Sequence, residues 1–138
     1  MSVKPFFDTN ILIYAFSRED PRSDVARILL ALGGIISVQV LNELTAVLRR
    51  KLKLSWKDVT EALHAVRVLC PKVASVTCET HEKALEIAEK FGYQIYDSLI
   101  IAAADEAKCK TLYSEDMNDG QMIGGVTIRN PFQNTKQE

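Results

Sequence analysis

The chain has 138 residues, a mass of 15.4 kDa and a hydrophobic content of 47%, which suffices for one core and predicts one domain. Its 17 basic and 18 acidic residues nearly cancel, so the composition excludes a generally basic protein that coats nucleic acid. No segment approaches the roughly 18 apolar residues of a membrane span, and the three cysteines form no C-x-x-C pair. We therefore expect a cytoplasmic protein with reduced thiols and no membrane contact.

Short apolar segments alternate with helical patterns along the first half of the chain. Apolar runs bounded by turn residues predict strands, whereas apolar residues at three- and four-residue spacing predict helices. In chain order, these patterns predict a strand at 3–7, helices at 10–16 and 23–32, a strand at 35–36 and a helix from 38 to about 51 with Ser37 as its N-cap. Asp8 would then follow the first strand directly.

The second half of the chain continues the alternation. The patterns predict a helix from 56 that stops before Pro71, a strand at 72–76, a helix at 78–91, a buried helix that begins at Asp97, and strands at 111–113 and 126–128. Strands alternating with helices imply parallel βαβ units. We predict an α/β fold in which one domain, residues 1–132, has a mainly parallel central sheet flanked by helices, followed by a polar C-terminal tail at 133–138.

Acidic residues recur at positions where such a sheet binds ligands. Asp8 and Asp116 each follow a predicted strand closely, and ligands collect outside the carboxyl ends of parallel strands. Asp97 begins the buried helix, where an N-cap is the alternative role. Asp116 and Asp119 both lie in a segment rich in Asp, Asn and Gly that is also typical of a turn. The choice between these two acids stays open.

Glu43 lies at the edge of the apolar stripe of its predicted helix, beside Val40 and Val47. No cation occurs three or four positions away on that helix, so Glu43 has no intrahelical ion pair. A half-buried carboxylate without a partner is costly. The partner is a metal ion, a group on another element, or solvent.

Together, Asp8, Glu43, Asp97 and Asp116 form a candidate metal site, and we call them the four acids. Two charges about 4 Å apart at an effective dielectric near 20 repel by roughly 4 kcal/mol, and a divalent cation offsets that repulsion. Oxygen ligands alone favour Mg²⁺ or Mn²⁺ over zinc. One or two such ions can polarise a phosphoryl oxygen and activate water. The pattern therefore predicts hydrolysis of a phosphodiester.

A basic run, Arg49, Arg50 and Lys51, ends the helix that carries Glu43. Its side chains either interact with the negative end of the helix dipole or contact RNA phosphates. Arg50 is the better candidate for RNA contact because it lies on the same flank as Glu43.

Four motifs occur in an order that is typical of a known family: Phe7-Asp8-Thr9-Asn10-Ile11, Ser37 to Glu43, Tyr96-Asp97-Ser98-Leu99-Ile100 and Ser114-Glu115-Asp116. Over nearly its whole length the sequence resembles the PIN-domain nucleases, particularly the VapC-like toxins of bacterial and archaeal toxin–antitoxin pairs. The resemblance implies a PIN-like domain and a metal-dependent endoribonuclease. It also implies that Asp8, Glu43 and Asp97 are the three acidic metal-binding positions and that Asp116 is the fourth, more variable one.

The resemblance implies supporting roles for three polar residues. Thr9 or Asn10 would orient Asp8, and Ser114 would support the site. The family often has threonine where this chain has Ser114, and serine preserves the hydroxyl. Asp119 is a further candidate metal ligand.

The partners that the resemblance implies are an RNA substrate, a small antitoxin protein that blocks the active site, and a second copy of the chain in a homodimer. Promoter DNA would be bound only through the antitoxin. These partners follow from the resemblance alone.

Three alternatives accompany this prediction. A PIN ribonuclease that processes RNA need not be a toxin, and a PIN-like fold can serve as a binding module without catalysis. A phosphatase of the haloacid dehalogenase type also begins with an aspartate after a strand and uses Mg²⁺. That class requires Asp-x-Asp, however, and Asn10 occupies the second position here.

Overall fold

A computed structural model describes residues 3–133, in which six helices and six short strands are found. The helices are α1 (Thr9–Phe16), α2 (Ser23–Leu32), α3 (Val38–Arg50), α4 (Trp56–Leu69), α5 (Cys78–Phe91) and α6 (Ile95–Glu106). The strands are β1 (Phe6–Phe7), β2 (Ile36–Ser37), β3 (Val73–Ala74), β4 (Thr111–Tyr113), β5 (Met122–Ile123) and β6 (Val126–Arg129). None of the described helices is long and apolar enough to cross a membrane.

The strands form a mainly parallel sheet, as predicted. Four of them lie in the order β1-β4-β6-β5, with β1 parallel to β4, β4 parallel to β6, and β5 antiparallel to β6. Strands β2 and β3 form a second parallel pair, which a bridge between Phe6 and Ile35 joins to β1. Because β1 and β4 are parallel neighbours, Asp8 and Ser114 leave the sheet at the same edge.

The helix α6 lies at the centre of the fold. It packs against α5 and α3 and against strands β2 and β6. Every residue from Ser98 to Ala104 is buried, which explains why this helix is apolar nearly all round. The fully buried side chains of Phe6, Leu112 and Ile128 come from the neighbouring strands β1, β4 and β6.

The structure corrects several predicted boundaries, among them that of β3, which spans Val73–Ala74 and not residues 72–76, and it adds one strand. Strand β1 spans Phe6–Phe7 and not residues 3–7, and α6 begins at Ile95 with Gln94 as its N-cap, so that Asp97 lies in the first turn. The extended backbone of Gln94 begins the helix without a side-chain cap bond, a start that leaves little signal in a sequence. Strand β5 was not predicted, because two residues are too short to show the alternation of a strand.

The sequence boundary at residue 132 and the polar tail stay predictions. The structure describes the tail only at Gln133, and residues 134–138 lie outside the described part of the chain. Phe132 is buried and belongs to the core.

Candidate active site

Asp8 is held at the edge of the sheet by three neighbouring groups. Its backbone N–H donates to the carbonyl of Tyr113 at 2.9 Å, which fixes Asp8 beside β4. As the N-cap of α1, it accepts a 2.7 Å hydrogen bond from the Thr9 N–H at Oδ1. Its Oδ2 accepts a 2.6 Å hydrogen bond from the hydroxyl of Ser114, which is fully buried. With 4% of its surface exposed, Asp8 has little freedom to move.

Helix α3 presents Glu43 to the same region. Ser37 caps this helix as predicted, since its hydroxyl accepts from the Val40 N–H at 3.3 Å. Glu43 Oε1 accepts a 2.7 Å hydrogen bond from the Thr9 hydroxyl, and Oε2 accepts from the Gln39 side chain at 3.0 Å. Of the partners that the sequence left open, a group on another element is therefore present, and Gln39 of the same helix is a second partner. Both partners are neutral, however, and they leave the charge of Glu43 uncompensated.

Asn10 connects two of the four acids. Its side-chain amide donates to Asp116 Oδ2 at 3.1 Å and to Asp8 Oδ2 at 3.4 Å. Its carbonyl oxygen accepts from the backbone N–H of Glu115 at 3.3 Å, so both ends of the amide hold the loop after β4. Asn10 thus sets the position of Asp116 relative to Asp8.

The structure separates Asp116 from Asp119. Asp116 lines the same cleft as Asp8. Both carboxylate oxygens of Asp119 instead accept hydrogen bonds from the C-terminal segment, at 2.8 Å from the Asn130 N–H and at 2.8 Å from the Gln133 side chain. Asp119 therefore ties β6 to the preceding loop, and it is not among the residues that line the cleft.

All four acids line one open cleft of about 320 Å³, together with Thr9 and Asn10. They come from four separate parts of the chain: the end of β1, the middle of α3, the first turn of α6 and the loop after β4. A wider opening beside it, of about 570 Å³, is also lined by Arg50 and Tyr96. The side chain of Arg50 is the one cation among the residues that line these two openings.

The pKa of Asp8 reflects how costly its charge is at this position. This pKa is raised from 3.8 to about 7, mainly by burial and in smaller part by the charges of Asp97 and Glu43. The hydrogen bonds from Ser114 and Thr9 act in the opposite direction, because they stabilise the carboxylate. Asp8 would be only partly ionised near neutral pH without a compensating cation.

Asp97 shows the same effect more mildly. Burial raises its pKa first, followed by the charges of Glu43 and Asp116, while a hydrogen bond with Gln94 lowers it. Two of the four acids thus resist ionisation because of burial and of one another. The cleft has an excess of negative charge that a bound cation would relieve.

The residues of the cleft fit a divalent metal ion by their chemistry. The charged groups that lie together in the cleft are carboxylates, and carboxylate oxygens are ligands that Mg²⁺ and Mn²⁺ prefer. Among residues 3–133, no three acidic, histidine or cysteine side chains already stand at metal-binding spacing. The oxygens of Asp8 and Glu43 point instead at Thr9, Ser114 and Gln39, and an ion would compete with these neutral donors.

A charged network that the sequence did not reveal supports the loop carrying Asp116. Arg22 Nη1 donates to both carboxylate oxygens of Glu115, at 3.0 and 2.9 Å, and the Tyr14 hydroxyl donates to Glu115 as well. The Arg22 guanidinium also lies 4.0 Å from the centroid of the Tyr14 ring, and its Nε donates to Asp20 at 2.8 Å. In the sequence, the one indication of this network was that Glu115 directly precedes Asp116.

The residues of the basic run occupy different environments. Arg50 reaches the wider opening of the cleft, as its position on the flank of Glu43 predicted. Arg49 instead donates to the carbonyl of Leu54 at 2.8 Å and lies over the ring of Trp56. Lys51 is exposed at the C-cap of α3.

Three solved structures resemble the fold closely. A toxin–antitoxin complex from Klebsiella pneumoniae matches with a TM-score of 0.71 and 19% identity, over 92% of this chain and 97% of that chain. VapC20 from Mycobacterium tuberculosis, described as a Sarcin-Ricin loop cleaving toxin, matches with a TM-score of 0.66 and 24% identity, over 80% and 88%. VapBC2 from Rickettsia felis, bound to a DNA fragment from its promoter, matches with a TM-score of 0.65 and 20% identity, over 91% and 96%. At these identities the likeness concerns the fold.

A search of curated protein sequences finds no match to the chain. The family model of the PIN domain, by contrast, matches residues 6–118. That range begins at β1, includes all four acids, and ends in the loop after β4. The predicted family is thereby confirmed, and the chain belongs to the PIN-domain family.

Proposed function

We propose that this protein is a metal-dependent endoribonuclease that hydrolyses RNA phosphodiester bonds in the acidic cleft. The observation that carries the proposal is the meeting of four carboxylates, from four separate parts of the chain, in one open cleft. Membership of the PIN-domain family and the similarity of the fold to an RNA-cleaving toxin support the same conclusion.

The four acids would hold one or two Mg²⁺ or Mn²⁺ ions. When bound, such an ion supplies polarisation of the phosphodiester and activation of water for attack. The neighbouring polar residues orient the carboxylates. Thr9 and Gln39 hold the two oxygens of Glu43, Asn10 couples Asp116 to Asp8, and Ser114 orients Asp8 from the buried side.

RNA would approach from the wider opening of the cleft. Arg50 lines this opening and can contact a phosphate next to the cleaved bond. Arg49 and Lys51 are adjacent cations that would add contacts outside the cleft. Such contacts position the strand without reading its sequence.

The proposed biological role is that of the toxin of a toxin–antitoxin pair. Two of the structures with the same fold are toxin–antitoxin complexes, one of them bound to promoter DNA. We infer a small antitoxin that covers the cleft, a homodimer of this chain, and promoter binding through the antitoxin only. Induced expression should arrest growth, Asp97→Asn should not, and co-expression of a small protein encoded next to this gene should relieve the arrest.

The activity is tested by incubating purified protein with a pool of tRNA, ribosomal RNA and mRNA in Mn²⁺ or Mg²⁺. Discrete cuts are expected, and both EDTA and Asp97→Asn should abolish them. Cuts that persist in EDTA would contradict metal dependence. Cleavage without growth arrest in cells would favour a PIN ribonuclease of RNA processing.

A non-catalytic binding module is the second candidate, because no three ligand-type side chains within residues 3–133 stand at metal-binding spacing. Metal ion at about 100 times its dissociation constant should raise the free energy of unfolding by roughly 2.7 kcal/mol if the site exists. No stabilisation by Mg²⁺ or Mn²⁺ would favour the binding module. The family assignment sets aside the phosphatase alternative.

A further inference from the structure

The turn between α3 and α4 carries a concentrated positive charge. We call residues 49–57 the basic segment: it contains five of the 17 Lys and Arg residues of the chain and no acid. All five are exposed, in a protein whose formal net charge is −1. Because Arg50 also lines the opening beside the acidic cleft, the basic segment is continuous with the candidate active site.

Trp56, the single tryptophan of the chain, lies at the surface of this segment. It is 61% exposed and begins α4, where Ser55 already provides the cap by accepting from the Asp58 N–H at 3.1 Å. The indole ring therefore serves neither the core nor the start of the helix. An exposed indole surrounded by cations is the kind of surface on which nucleobases stack.

Arg49 supports the indole ring from one side. Its guanidinium carbon lies 4.3 Å from the ring centroid, while its Nη1 donates to the carbonyl of Leu54 at 2.8 Å. The hydrogen bond fixes the guanidinium, and the cation–π contact fixes the ring against it. Arg49 and Trp56 together form a preorganised flat surface, which we call the base platform or simply the platform. Because both side chains are already held in place, binding to it costs little conformational entropy.

We propose that Trp56, backed by Arg49, stacks an unpaired base of the RNA beside the opening of the cleft. This inference rests on the proposed ribonuclease function. Neither Arg49 nor Trp56 lines the cleft or its wider opening, whereas Arg50, the neighbour of Arg49 in the chain, lines the wider opening, so the platform lies outside the cleft. The RNA phosphates between the stacked base and the four acids would then pass Arg50.

RNA fits this surface better than a second copy of the chain does. A two-fold contact whose axis passes through the basic segment would place its five cations against those of the other copy. A polyanion removes that repulsion, and its bases supply the aromatic faces for the indole. Charge and apolar exposure at this site therefore point to the same partner.

Because Trp56 is the single tryptophan, tryptophan fluorescence reports on the surroundings of this one residue. The test titrates the full-length protein in EDTA, where no cleavage is expected, with an oligoadenylate of about ten nucleotides and with an RNA duplex of equal length. Quenching by the single strand and little or none by the duplex are expected. Trp56→Ala should weaken single-strand binding, measured by anisotropy of labelled RNA, by about tenfold. Trp56→Phe should restore most of it.

Leu85→Ala is the matched control, since Leu85 is an exposed apolar residue on α5 outside the basic segment. It should bind RNA like the wild type. Equal quenching by the duplex, or unchanged binding by Trp56→Ala, would overturn the proposal. A fluorescence shift that depends on protein concentration without RNA, with loss of a dimer in Trp56→Ala, would assign the surface to a contact between copies and overturn it as well.

The binding test and the cleavage test separate the two claims. Stacking on Trp56 without any cutting in Mn²⁺ would support the base platform and contradict the ribonuclease. If Trp56→Ala leaves metal-dependent cutting unchanged and RNA does not quench the fluorescence of the wild type, the result would support the ribonuclease and contradict the platform.

Discussion

The Thr9 hydroxyl donates a 2.7 Å hydrogen bond to Glu43 Oε1 and thereby joins the first turn of α1 to the middle of α3. The two residues are 34 positions apart in the chain. Thr9 is buried, so its hydroxyl has few alternatives to this acceptor. The contact fixes the distance between the two helices at the floor of the cleft.

Thr9→Val keeps the shape of the side chain and removes the donor. We expect metal affinity to fall by about 10- to 100-fold, because Glu43 loses the group that orients it. Calorimetric titration with Mn²⁺ measures this change. Thr45→Val is the control, since the Thr45 hydroxyl donates to the Leu41 carbonyl within α3. Equal affinities of the two variants would contradict a positioning role for Thr9.

Ser114→Ala removes the hydroxyl that donates to Asp8 in the buried wall of the cleft. We expect the free energy of unfolding to fall by about 1–3 kcal/mol, the cost of leaving a buried polar group without its partner. Urea denaturation in EDTA at pH 8 measures it. Ser23→Ala provides the comparison, because Ser23 Oγ is buried without a hydrogen-bond partner among the described residues. This substitution should change the free energy of unfolding very little. A neutral Ser114→Ala would contradict the role assigned to this hydroxyl.

The ion pair between Arg22 and Glu115 should matter for activity, because Glu115 directly precedes Asp116. Glu115→Gln weakens the contact with Arg22 and leaves the loop before Asp116 less firmly held. We expect a lower rate of RNA cleavage with little loss of fold, seen as an unchanged circular dichroism spectrum. Arg22→Gln should have a similar effect, and the double variant should cost less than the sum of the two. Additive effects would show that the two residues act independently.

The contact between Lys83 and Asp105 predicts a pH dependence of stability. Burial alone would raise the pKa of Asp105, but the Lys83 ammonium and the Gly125 N–H outweigh it and leave the pKa below 3.8. The stabilisation is therefore fully present above pH 3.8, the ordinary pKa of the group, and is lost as pH falls through the folded-state pKa.

Lys83→Met should accordingly be less stable than the wild type at pH 7, and the difference should shrink below about pH 4 as Asp105 becomes protonated. Urea denaturation across this pH range measures both proteins. A difference that stays constant with pH would show that Lys83 acts by packing and not by charge.

The sequence was most informative where a local rule applies. Asp8 and Asp116 were predicted at the edge of the sheet because each follows a strand, and Ser37 was predicted as a cap from its position before a helical stripe. The membership of Asp97 in the site rested on the family motif, since its position near a helix start also suits a cap. The structure shows that Gln94 holds that cap position.

Contacts between distant segments escaped prediction. Thr9 and Gln39 as partners of Glu43, and Arg22 as partner of Glu115, depend on how helices pack, which the local pattern does not record. The distinction between Asp116 and Asp119 likewise needed the fold. The fold brings Asn130, which follows β6, next to Asp119, and the Asn130 N–H donates a hydrogen bond to the Asp119 carboxylate. Asp119 therefore stabilises this part of the fold and does not reach the cleft.

The claim that the acidic cleft is a metal site is tested most directly by calorimetric titration of Mn²⁺ into the wild type, Asp97→Asn and Asp119→Asn. Asp97 lines the cleft, whereas Asp119 is bonded to the C-terminal segment, so the two substitutions remove the same charge at two different places. We expect one or two bound ions in the wild type and in Asp119→Asn, and a loss of most of that binding in Asp97→Asn. Unchanged binding in Asp97→Asn, or its loss in Asp119→Asn, would contradict the claim.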